Sequence, residues 1–281
     1  MKRRAVLLAS GLLLIAAVAA LGVRYVRAIR PEPVAPDIAR YRQDLFDMLR
    51  PVRVANCRLQ RFGEANDGGY LMCGNLLEDV EAGYSYGIDG YDKWGCDIST
   101  AHRIPVHQYD CFNTERPACA AGRTIFHEAC VGGRPEVIDG RPFDTVQNHL
   151  AANGNAASRI VLKIDVEGAE WDTILAMPDE TLGRIDQMAV EFHWQKTGGR
   201  WASDPRYPRV IARLRQFFEI AHLHFNNWSC TPDLAPFTAW AYEVLFVNKR
   251  LAVVDRAAPA GGLHPEDTPS GPSRPDCQPA F

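Results

Sequence analysis

The chain has 281 residues, of which 47% are hydrophobic and 23% are charged, and its formal net charge at pH 7 is −3. These proportions are ordinary for a globular protein and exclude a disordered, collagenous or polytopic membrane chain. The charge balance gives no support for nucleic-acid binding, which usually accompanies a surplus of basic residues.

The first thirty residues differ from the rest of the chain. A run without charges, 5–23, lies between basic residues at positions 2–4 and at positions 24, 27 and 30. At about 1.5 Å per residue, a helix over this run is long enough to cross a bilayer core. The pattern predicts a signal anchor at 1–30 that holds a single-pass protein in the membrane, with the C-terminal domain exported to a periplasmic or lumenal space. Cleavage of a signal peptide and secretion is the alternative.

The rest of the chain alternates between strand-like and helix-like runs after a linker and an amphipathic helix at 31–55. Strands are predicted at 81–89, 104–110, 123–131, 159–166, 185–193, 219–225 and 239–248, and helices at 93–102, 143–152, 167–177 and 207–218. This alternation predicts an α/β fold with a Rossmann-like, seven-stranded, mostly parallel sheet and helices on both faces. The last two strands have no helix between them, so we expect a terminal antiparallel hairpin.

The domain organisation follows from these runs and from the composition of the C-terminus. The folded domain is predicted at 56–250 and contains all of the predicted strands. Six prolines follow Ala257, and we therefore expect 251–281 to form a disordered tail.

The eight cysteines include no CxxC pair. This spacing argues against a zinc ribbon or a thioredoxin-like redox motif. Two pairs bracket short segments, so we predict disulfides Cys57–Cys73 and Cys111–Cys119 in an exported protein. Buried free thiols are the alternative.

Polar residues follow the predicted strands at the edge where an open parallel sheet has its ligand crevice. The first strand ends in YGIDG, residues 86–90, whose glycines allow the backbone to approach a ligand. The second strand ends in Asp110, and an acidic residue at this place can bind the two hydroxyls of a ribose. An ordinary strand-to-helix turn and a helix cap are the alternatives.

The sharpest motif is KIDVEGAEW, residues 163–171, at the end of the fourth strand. Asp165 and Glu167 are two residues apart, so both side chains can reach the same side of the crevice. Two carboxylates held this close raise the pKa of one of them, which suits a general base or a metal site. Alternatively, Glu167 only begins the next helix and interacts with its positive end.

Histidines lie at the ends of two further strands. His193 ends the fifth strand, and His224 and Asn226 lie at the end of the sixth. A histidine beside the crevice can accept a proton from a hydroxyl near neutral pH. Carboxylates and imidazoles on neighbouring strand ends can also bind a divalent metal, although the spacing matches no recognised metal motif. Purely structural histidines are the alternative.

Residues 56–249 resemble the FkbM-like S-adenosylmethionine-dependent methyltransferases, in particular the branch with a membrane anchor. KIDVEGAEW is the most specific match, and the supporting motifs are RFG at 61–63, DGGY at 67–70, YSYGI at 84–88, EFH at 191–193 and HFNN at 224–227. The resemblance implies S-adenosyl-L-methionine as cofactor, with Gly87 and Asp89 in the cofactor loop and Asp110 on the ribose. It also implies that Asp165 lies beside the sulfonium or the acceptor, and that the ring of Tyr86 or Trp94 can face the sulfonium.

The function that follows is methyl transfer to a hydroxyl of a glycan or other small molecule. The predicted catalytic residues are Asp165, Glu167 and His193, with Asp165 or His193 as base, and the predicted substrate-binding residues are His224 and Asn226. No metal is required and no nucleic acid is expected. The alternatives are a metal-dependent hydrolase that uses Asp165, Glu167, His193 and His224, and a membrane-anchored binding module without catalysis.

Overall fold

The computed structural model describes residues 35–258 and 261–278. The chain divides into two compact units, 1–39 and 40–281. Of the first unit only residues 35–39 are described, and they include the start of helix α1 (Pro36–Met48). The sheet and the candidate site belong to the second unit.

The prediction of a single-pass membrane protein is corrected by the helices of the structure. Within residues 35–258 and 261–278, no helix is both long and apolar enough to cross a membrane. Helix α1, for example, has 13 residues, whereas a crossing helix needs about 20 apolar residues. The predicted signal anchor or signal peptide at 1–30 lies outside the described residues.

Strands and helices alternate along the second unit. The strands are β1 (Arg53–Val54), β2 (Leu59–Gly63), β3 (Gly69–Cys73), β4 (Ala82–Tyr86), β5 (Pro105–Asp110), β6 (Arg123–Glu128), β7 (Cys130–Val131), β8 (Glu136–Ile138), β9 (Arg141–Asp144), β10 (Ile160–Ile164), β11 (Ile185–His193), β12 (Lys196–Thr197), β13 (Arg200–Trp201), β14 (Phe218–Phe225), β15 (Ala241–Asn248) and β16 (Val254–Asp255). The further helices are α2 (Lys93–His102), α3 (Val146–Ala152), α4 (Glu170–Ala176), α5 (Asp179–Arg184) and α6 (Arg206–Phe217).

Seven of these strands form the central sheet, in the order β14-β15-β11-β10-β4-β5-β6. The pairs from β11 through β6 are parallel, and β15 pairs antiparallel with both β11 and β14. The predicted α/β fold class is therefore confirmed, including the antiparallel hairpin of the last two strands. The chain moves outward from β4 in one direction through β5 and β6, and returns to the other side through β10 and β11. The topological switch point thus lies between β4 and β10.

The central strands are buried because their side chains face a core on each side of the sheet. Every residue of β10 and β11 is buried, as expected of strands with both faces covered. On one face, Leu162 and Ile164 pack in a cluster with Leu150, Trp171 and other side chains from α3 to α6. On the opposite face, α2 and the β2–β3 hairpin cover the sheet. One helix and one hairpin therefore cover this face of the sheet. The two strands of the hairpin were not predicted.

Four disulfides cross-link the described residues. The predicted Cys57–Cys73 pair is confirmed, but the predicted Cys111–Cys119 pair is wrong. Cys111 instead pairs with Cys130, and the other two bonds are Cys96–Cys119 and Cys230–Cys277. Cys111 follows β5 and Cys130 lies in β7, so the bond joins two segments that the sheet brings side by side rather than the ends of one loop. Disulfides of this number are typical of proteins from oxidising compartments.

The segment predicted to be a disordered tail is folded over residues 261–278. Cys277 is bonded to Cys230, and the amide of Asn227 donates to the carbonyl oxygens of Gly271 and Arg274, both at 3.0 Å. Asp267 accepts from His222 at 3.0 Å. Side-chain contacts and a disulfide therefore hold this proline-rich segment against the end of β14, which the composition could not reveal.

Candidate active site

The candidate site lies where β4 and β10 end, at the switch point of the sheet. In open α/β sheets, ligands bind in the crevice at this place. Gly87 follows β4 with a φ of +72°, and a Cβ atom at this position would lie 1.6 Å from the carbonyl oxygen of Asp165. Only glycine allows the turn after β4 to approach the end of β10 this closely.

A buried lysine in β10 forms a hydrogen bond to the turn that follows β4. Lys163, in β10, is 5% exposed, and its Nζ donates to the carbonyl oxygen of Gly87 at 2.5 Å. It also lies 3.4 Å from Oδ2 of Asp165. The lysine therefore fixes the position of Asp165 relative to the glycine turn.

Asp110, which was predicted to bind a ribose, accepts hydrogen bonds from four backbone N–H groups. Oδ2 accepts the N–H groups of Ile88 and Asp89, both at 2.9 Å. Oδ1 accepts those of Phe112 at 2.8 Å and Asn113 at 3.1 Å. A carboxylate has about four acceptor positions, so these four donors use the whole group. Asp110 therefore shapes the turn after β4, and it also lines the cavity beside this turn.

The first cavity, of about 490 Å³, opens beside this turn. That volume is within the roughly 300–1,000 Å³ range of small-molecule sites. Its lining combines carboxylates with apolar side chains and includes Gly87, Asp89, Phe112, Val131, Asp165 and Glu167. Phe112 is 70% exposed, an unusual exposure for a phenylalanine. Tyr86 does not line this cavity, because its side chain is fully buried and its hydroxyl lies 3.3 Å from Nδ1 of His149.

A stack of aromatic rings packs beside the first cavity, and one of these rings, that of Tyr109, lines it. Tyr109 lines the cavity, and its ring centroid lies 4.2 Å from that of His149 and 4.4 Å from that of His127. His107 continues the stack, with Nδ1 2.9 Å from Nε2 of His127. Burial lowers the pKa of both His107 and His149 from 6.5 to about 4, so these rings are neutral near pH 7.

The second cavity, of about 370 Å³, lies beyond the ends of β10, β11 and β14. Its lining is mainly acidic and polar and includes Asp67, Asp165, Glu167, Glu191, His193 and Asn226. Trp228 and Trp240 add two aromatic side chains. Asp165 and Glu167 line both cavities, so the two spaces meet at these carboxylates.

The two carboxylates at this junction are held in different ways. Asp165 accepts a hydrogen bond from the hydroxyl of Tyr70, with Oδ2 at 3.0 Å. Glu167 has an 82% exposed side chain and a φ of +54°. A non-glycine residue in the left-handed region is strained by roughly 1–3 kcal/mol, and such strain concentrates at functional sites. Helix α4 begins only at Glu170, so Glu167 lies before the helix that it was predicted to begin.

His193 lies at the end of β11 and faces this junction. Its Nδ1 is 3.3 Å from Oε1 of Glu170, and its Nε2 is 4.0 Å from Asp165 and 3.7 Å from Glu167. Burial alone would lower the pKa of His193. The hydrogen bond to Glu170 and the negative charges of Glu191, Glu170 and Asp165 outweigh burial and raise the pKa to about 10.

Glu191 occupies the buried floor of the second cavity. Burial and the neighbouring charge of Asp165 raise the pKa of Glu191 well above its usual range. Its Oε1 accepts from the amide of Asn226 at 2.9 Å, and its Oε2 lies 3.4 Å from the Tyr70 hydroxyl. Asn226 therefore lies in the predicted region, as a residue that orients Glu191.

His224, the other predicted substrate-binding residue, lines neither cavity. Its Nδ1 lies 3.7 Å from Glu243 and its Nε2 lies 3.6 Å from Asp276, in the C-terminal segment. Burial would lower the pKa of His224, but Glu243, Asp267 and Asp276 raise it to about 9. His224 and Glu191 are both in register with Glu243 and so face the same side of the sheet, but β15 lies between His224 and the strand that carries His193.

Four residues that contact Asp165 or His193 were not predicted, namely Tyr70, Lys163, Glu170 and Glu191. Tyr70 belongs to the DGGY motif, Lys163 and Glu170 belong to KIDVEGAEW, and Glu191 belongs to EFH. Charged residues within otherwise apolar strands were the available signal for Lys163 and Glu191, since burial of a charge requires a partner.

Comparisons with known proteins add little to this geometry. No family model matches the chain, and no curated protein matches it. A solved structure described as the methyltransferase FkbM from Methylobacillus flagellatus KT aligns over 60% of this chain and 44% of its own, with 16% identity and a TM-score of 0.35. The alignment thus spans less than half of that protein. The fold class rests on the strand order and pairing of the central sheet.

Proposed function

We propose that the protein is an S-adenosylmethionine-dependent methyltransferase that methylates a hydroxyl of a sugar or another small molecule. The observation that carries this proposal is the meeting of two cavities at Asp165 and Glu167. Transfer of a group between two bound molecules needs two sites that share one boundary, because the reacting atoms must come within about 3–3.5 Å of each other.

The residues of the first cavity suit a nucleoside with positive charges. Val131, Phe143 and the exposed ring of Phe112 supply apolar surface, and an aromatic ring is a good stacking surface for a purine base. Asp89, Asp165 and Glu167 supply negative charge for an ammonium and a sulfonium group. S-Adenosylmethionine would supply an electrophilic methyl group at this place. Asp110 lines the same cavity and holds the backbone of the turn after β4.

The charge states at the junction point to Asp165 as the group that accepts the proton of the hydroxyl. His193, with a pKa raised to about 10, already carries a proton near neutral pH and cannot accept another. Tyr70 and Lys163 hold Oδ2 of Asp165, so Oδ1 is the oxygen that remains for the acceptor. A positioned acid–base group typically contributes about 10²- to 10⁴-fold to the rate.

The second cavity favours an uncharged, hydroxyl-rich acceptor. Its lining contains four carboxyl groups, and His193 is its only basic side chain among the residues that the structure describes. An anionic acceptor would be repelled by this field. The rings of Trp228 and Trp240 offer apolar faces beside hydrogen-bonding groups, a combination suited to a sugar ring.

Transfer of a labelled methyl group tests the proposal. The full-length protein is incubated with methyl-labelled S-adenosylmethionine and a panel of glycans and small hydroxyl compounds, and we expect label in at least one product. Asp165→Asn should lower turnover by about 10²- to 10⁴-fold, whereas Asp79→Asn, before the start of β4 and outside both cavities, should leave it unchanged. Absence of labelled product across the panel, together with no binding of S-adenosylhomocysteine, would overturn the proposal.

A metal-dependent hydrolase is the second candidate, because Asp165, Glu167 and His193 each place a ligand atom within 4.8 Å of the others. His224, which the sequence also assigned to this reaction, is not in that cluster. Binding of S-adenosylhomocysteine in the first cavity would favour the transferase, since the hydrolase has no use for this ligand.

A further inference from the structure

Three side chains converge at the junction of the two cavities with the geometry of a cation site. Asp165, Glu167 and His193 come from two neighbouring strand ends, and their ligand atoms lie within 4.8 Å of one another. Carboxylate oxygen and imidazole nitrogen are the donors that divalent transition metals such as Mn²⁺ accept together. His193 is the last residue of β11, Asp165 directly follows β10, and Glu167 lies in the turn between β10 and α4.

A second, independent feature is the nitrogen that His193 turns toward this cluster. The histidine is only 3% exposed, yet its Nε2 makes no hydrogen bond to any described residue. The carboxylate oxygens of Glu167, Glu191 and Asp165 lie 3.7, 3.8 and 4.0 Å away, beyond hydrogen-bond distance. This nitrogen therefore faces three carboxylates at distances that leave room for a cation between them.

The opposite side of the same ring is already fixed. Nδ1 of His193 lies 3.3 Å from Oε1 of Glu170, a carboxylate that is fully buried. Histidines that ligate metals almost always donate their other ring N–H to a carboxylate or carbonyl, which orients the ring and sets its tautomer. The Glu170–His193 contact has this form, and Nε2 is then the nitrogen that faces the cluster.

We propose that Asp165, Glu167 and His193 bind one divalent cation, with Glu170 as the residue that positions His193. The role of the ion rests on the proposed function: it would lie between the two cavities and hold the hydroxyl of the acceptor. A hydroxyl bound to a divalent cation loses its proton more readily than a free one. Asp165 would then serve as a ligand, and the proton of the hydroxyl would pass to bulk water, which reaches this junction beside the exposed side chain of Glu167.

A substitution at Glu167 can test metal binding without unfolding the protein, because this side chain is exposed. Glu167→Gln changes a side chain that is 82% exposed and keeps its shape, so loss of metal binding cannot be assigned to unfolding. Asp67→Asn is the matched control, because Asp67 lines the second cavity without belonging to the cluster. Glu170→Gln tests the positioning role separately.

The experiment titrates Mn²⁺ into the full-length, EDTA-treated protein and measures free ion by electron paramagnetic resonance. We expect one ion per chain, at least about tenfold weaker binding in Glu167→Gln and Asp165→Asn, and unchanged binding in Asp67→Asn. Glu170→Gln should weaken binding by about 10- to 100-fold. Absence of bound Mn²⁺, or equal binding by the wild type and Glu167→Gln, would overturn the cation site.

Calorimetry with S-adenosylhomocysteine on the same samples separates the two proposals. Binding of S-adenosylhomocysteine without Mn²⁺ binding would leave the transferase standing and remove the cation site. Mn²⁺ binding that depends on Glu167, without binding of S-adenosylhomocysteine, would support the cation site, remove methyl transfer and favour the hydrolase.

Discussion

Oε1 of Glu170 accepts the main-chain N–H of His193 at 2.6 Å and lies 3.3 Å from Nδ1 of the same residue. The other oxygen of Glu170 accepts the N–H of Gly168 at 2.8 Å. One fully buried carboxylate thus joins the first turn of α4, the turn before it and the end of β11. These contacts keep the ring of His193 aimed at the place where the two cavities meet.

Glu170→Gln should lower the free energy of unfolding by about 1.5–3 kcal/mol, because hydrogen bonds to a charged group are worth this much. The amide also brings a donor against N–H groups that need an acceptor. Urea unfolding followed by circular dichroism measures the change. Glu167→Gln, three residues earlier and exposed, should stay within about 0.5 kcal/mol of the wild type. Equal stability of the two variants would contradict the role given to Glu170.

Gly87→Ala should be far more harmful than the same change at another glycine with positive φ. Gly140 has a φ of +79°, and a Cβ atom added there would have no described atom within 4 Å, so Gly140→Ala isolates the conformational penalty of about 1 kcal/mol. At Gly87 the new Cβ also meets the backbone of Asp165 at 1.6 Å. We expect a loss of more than about 3 kcal/mol there. Similar urea midpoints for the two variants would show that the strand ends are not packed this closely.

The disulfide beside the first cavity should affect both stability and ligand binding. Cys111–Cys130 and Cys57–Cys73 close segments of similar length, with sequence separations of 19 and 16, so removal of either should cost about 3 kcal/mol of stability. Of these four cysteines, only Cys130 lines the first cavity. The double alanine variant of Cys111 and Cys130 should therefore also weaken S-adenosylhomocysteine binding, measured by calorimetry. Equal loss of affinity in the Cys57 and Cys73 double variant would contradict this assignment.

The aromatic stack should make the protein less stable in mild acid. The pKa of His149 is lowered from 6.5 to about 4 by burial, so between these pH values the unfolded chain binds a proton that the folded protein excludes. Stability is then present above pH 6.5 and declines as the pH falls toward 4, by roughly 2 kcal/mol for this ring. His149→Gln, which cannot titrate, should show a smaller decline in urea unfolding over this range. An unchanged decline would mean that His149 protonates as easily in the folded state as in the unfolded chain.

The sheet was predictable because its signals are local. The uninterrupted apolar run of β10 indicated a strand covered on both faces, and the absence of a helix between β14 and β15 indicated their antiparallel pairing. The β2–β3 hairpin was missed because its exposed and partly buried residues in β2 lack a clear alternating pattern. The folded C-terminal segment was missed because Cys230–Cys277 and Asn227, rather than its own composition, hold it in place.

The site was predictable only in part, because several of its contacts join residues far apart in the chain. Asp165, Glu167 and His193 were predicted from their places at strand ends, and the structure brings them together. Glu170 looked like an ordinary acidic residue in the first turn of a helix, and its partner His193 is 23 residues away. Asp110 was correctly placed at a strand end, but its donors Ile88 and Asp89 belong to another turn, so the sequence could not show that its oxygens were already bound.

The measurement that tests the central claim most directly is calorimetry of S-adenosylhomocysteine with the wild type, Phe112→Ala and Trp228→Ala. Phe112 lines the first cavity and Trp228 the second, and both are exposed enough to be replaced without unfolding. The account predicts micromolar binding to the wild type, at least about tenfold weaker binding to Phe112→Ala from the lost stacking surface, and unchanged binding to Trp228→Ala. No binding to the wild type, or a loss confined to Trp228→Ala, would contradict it.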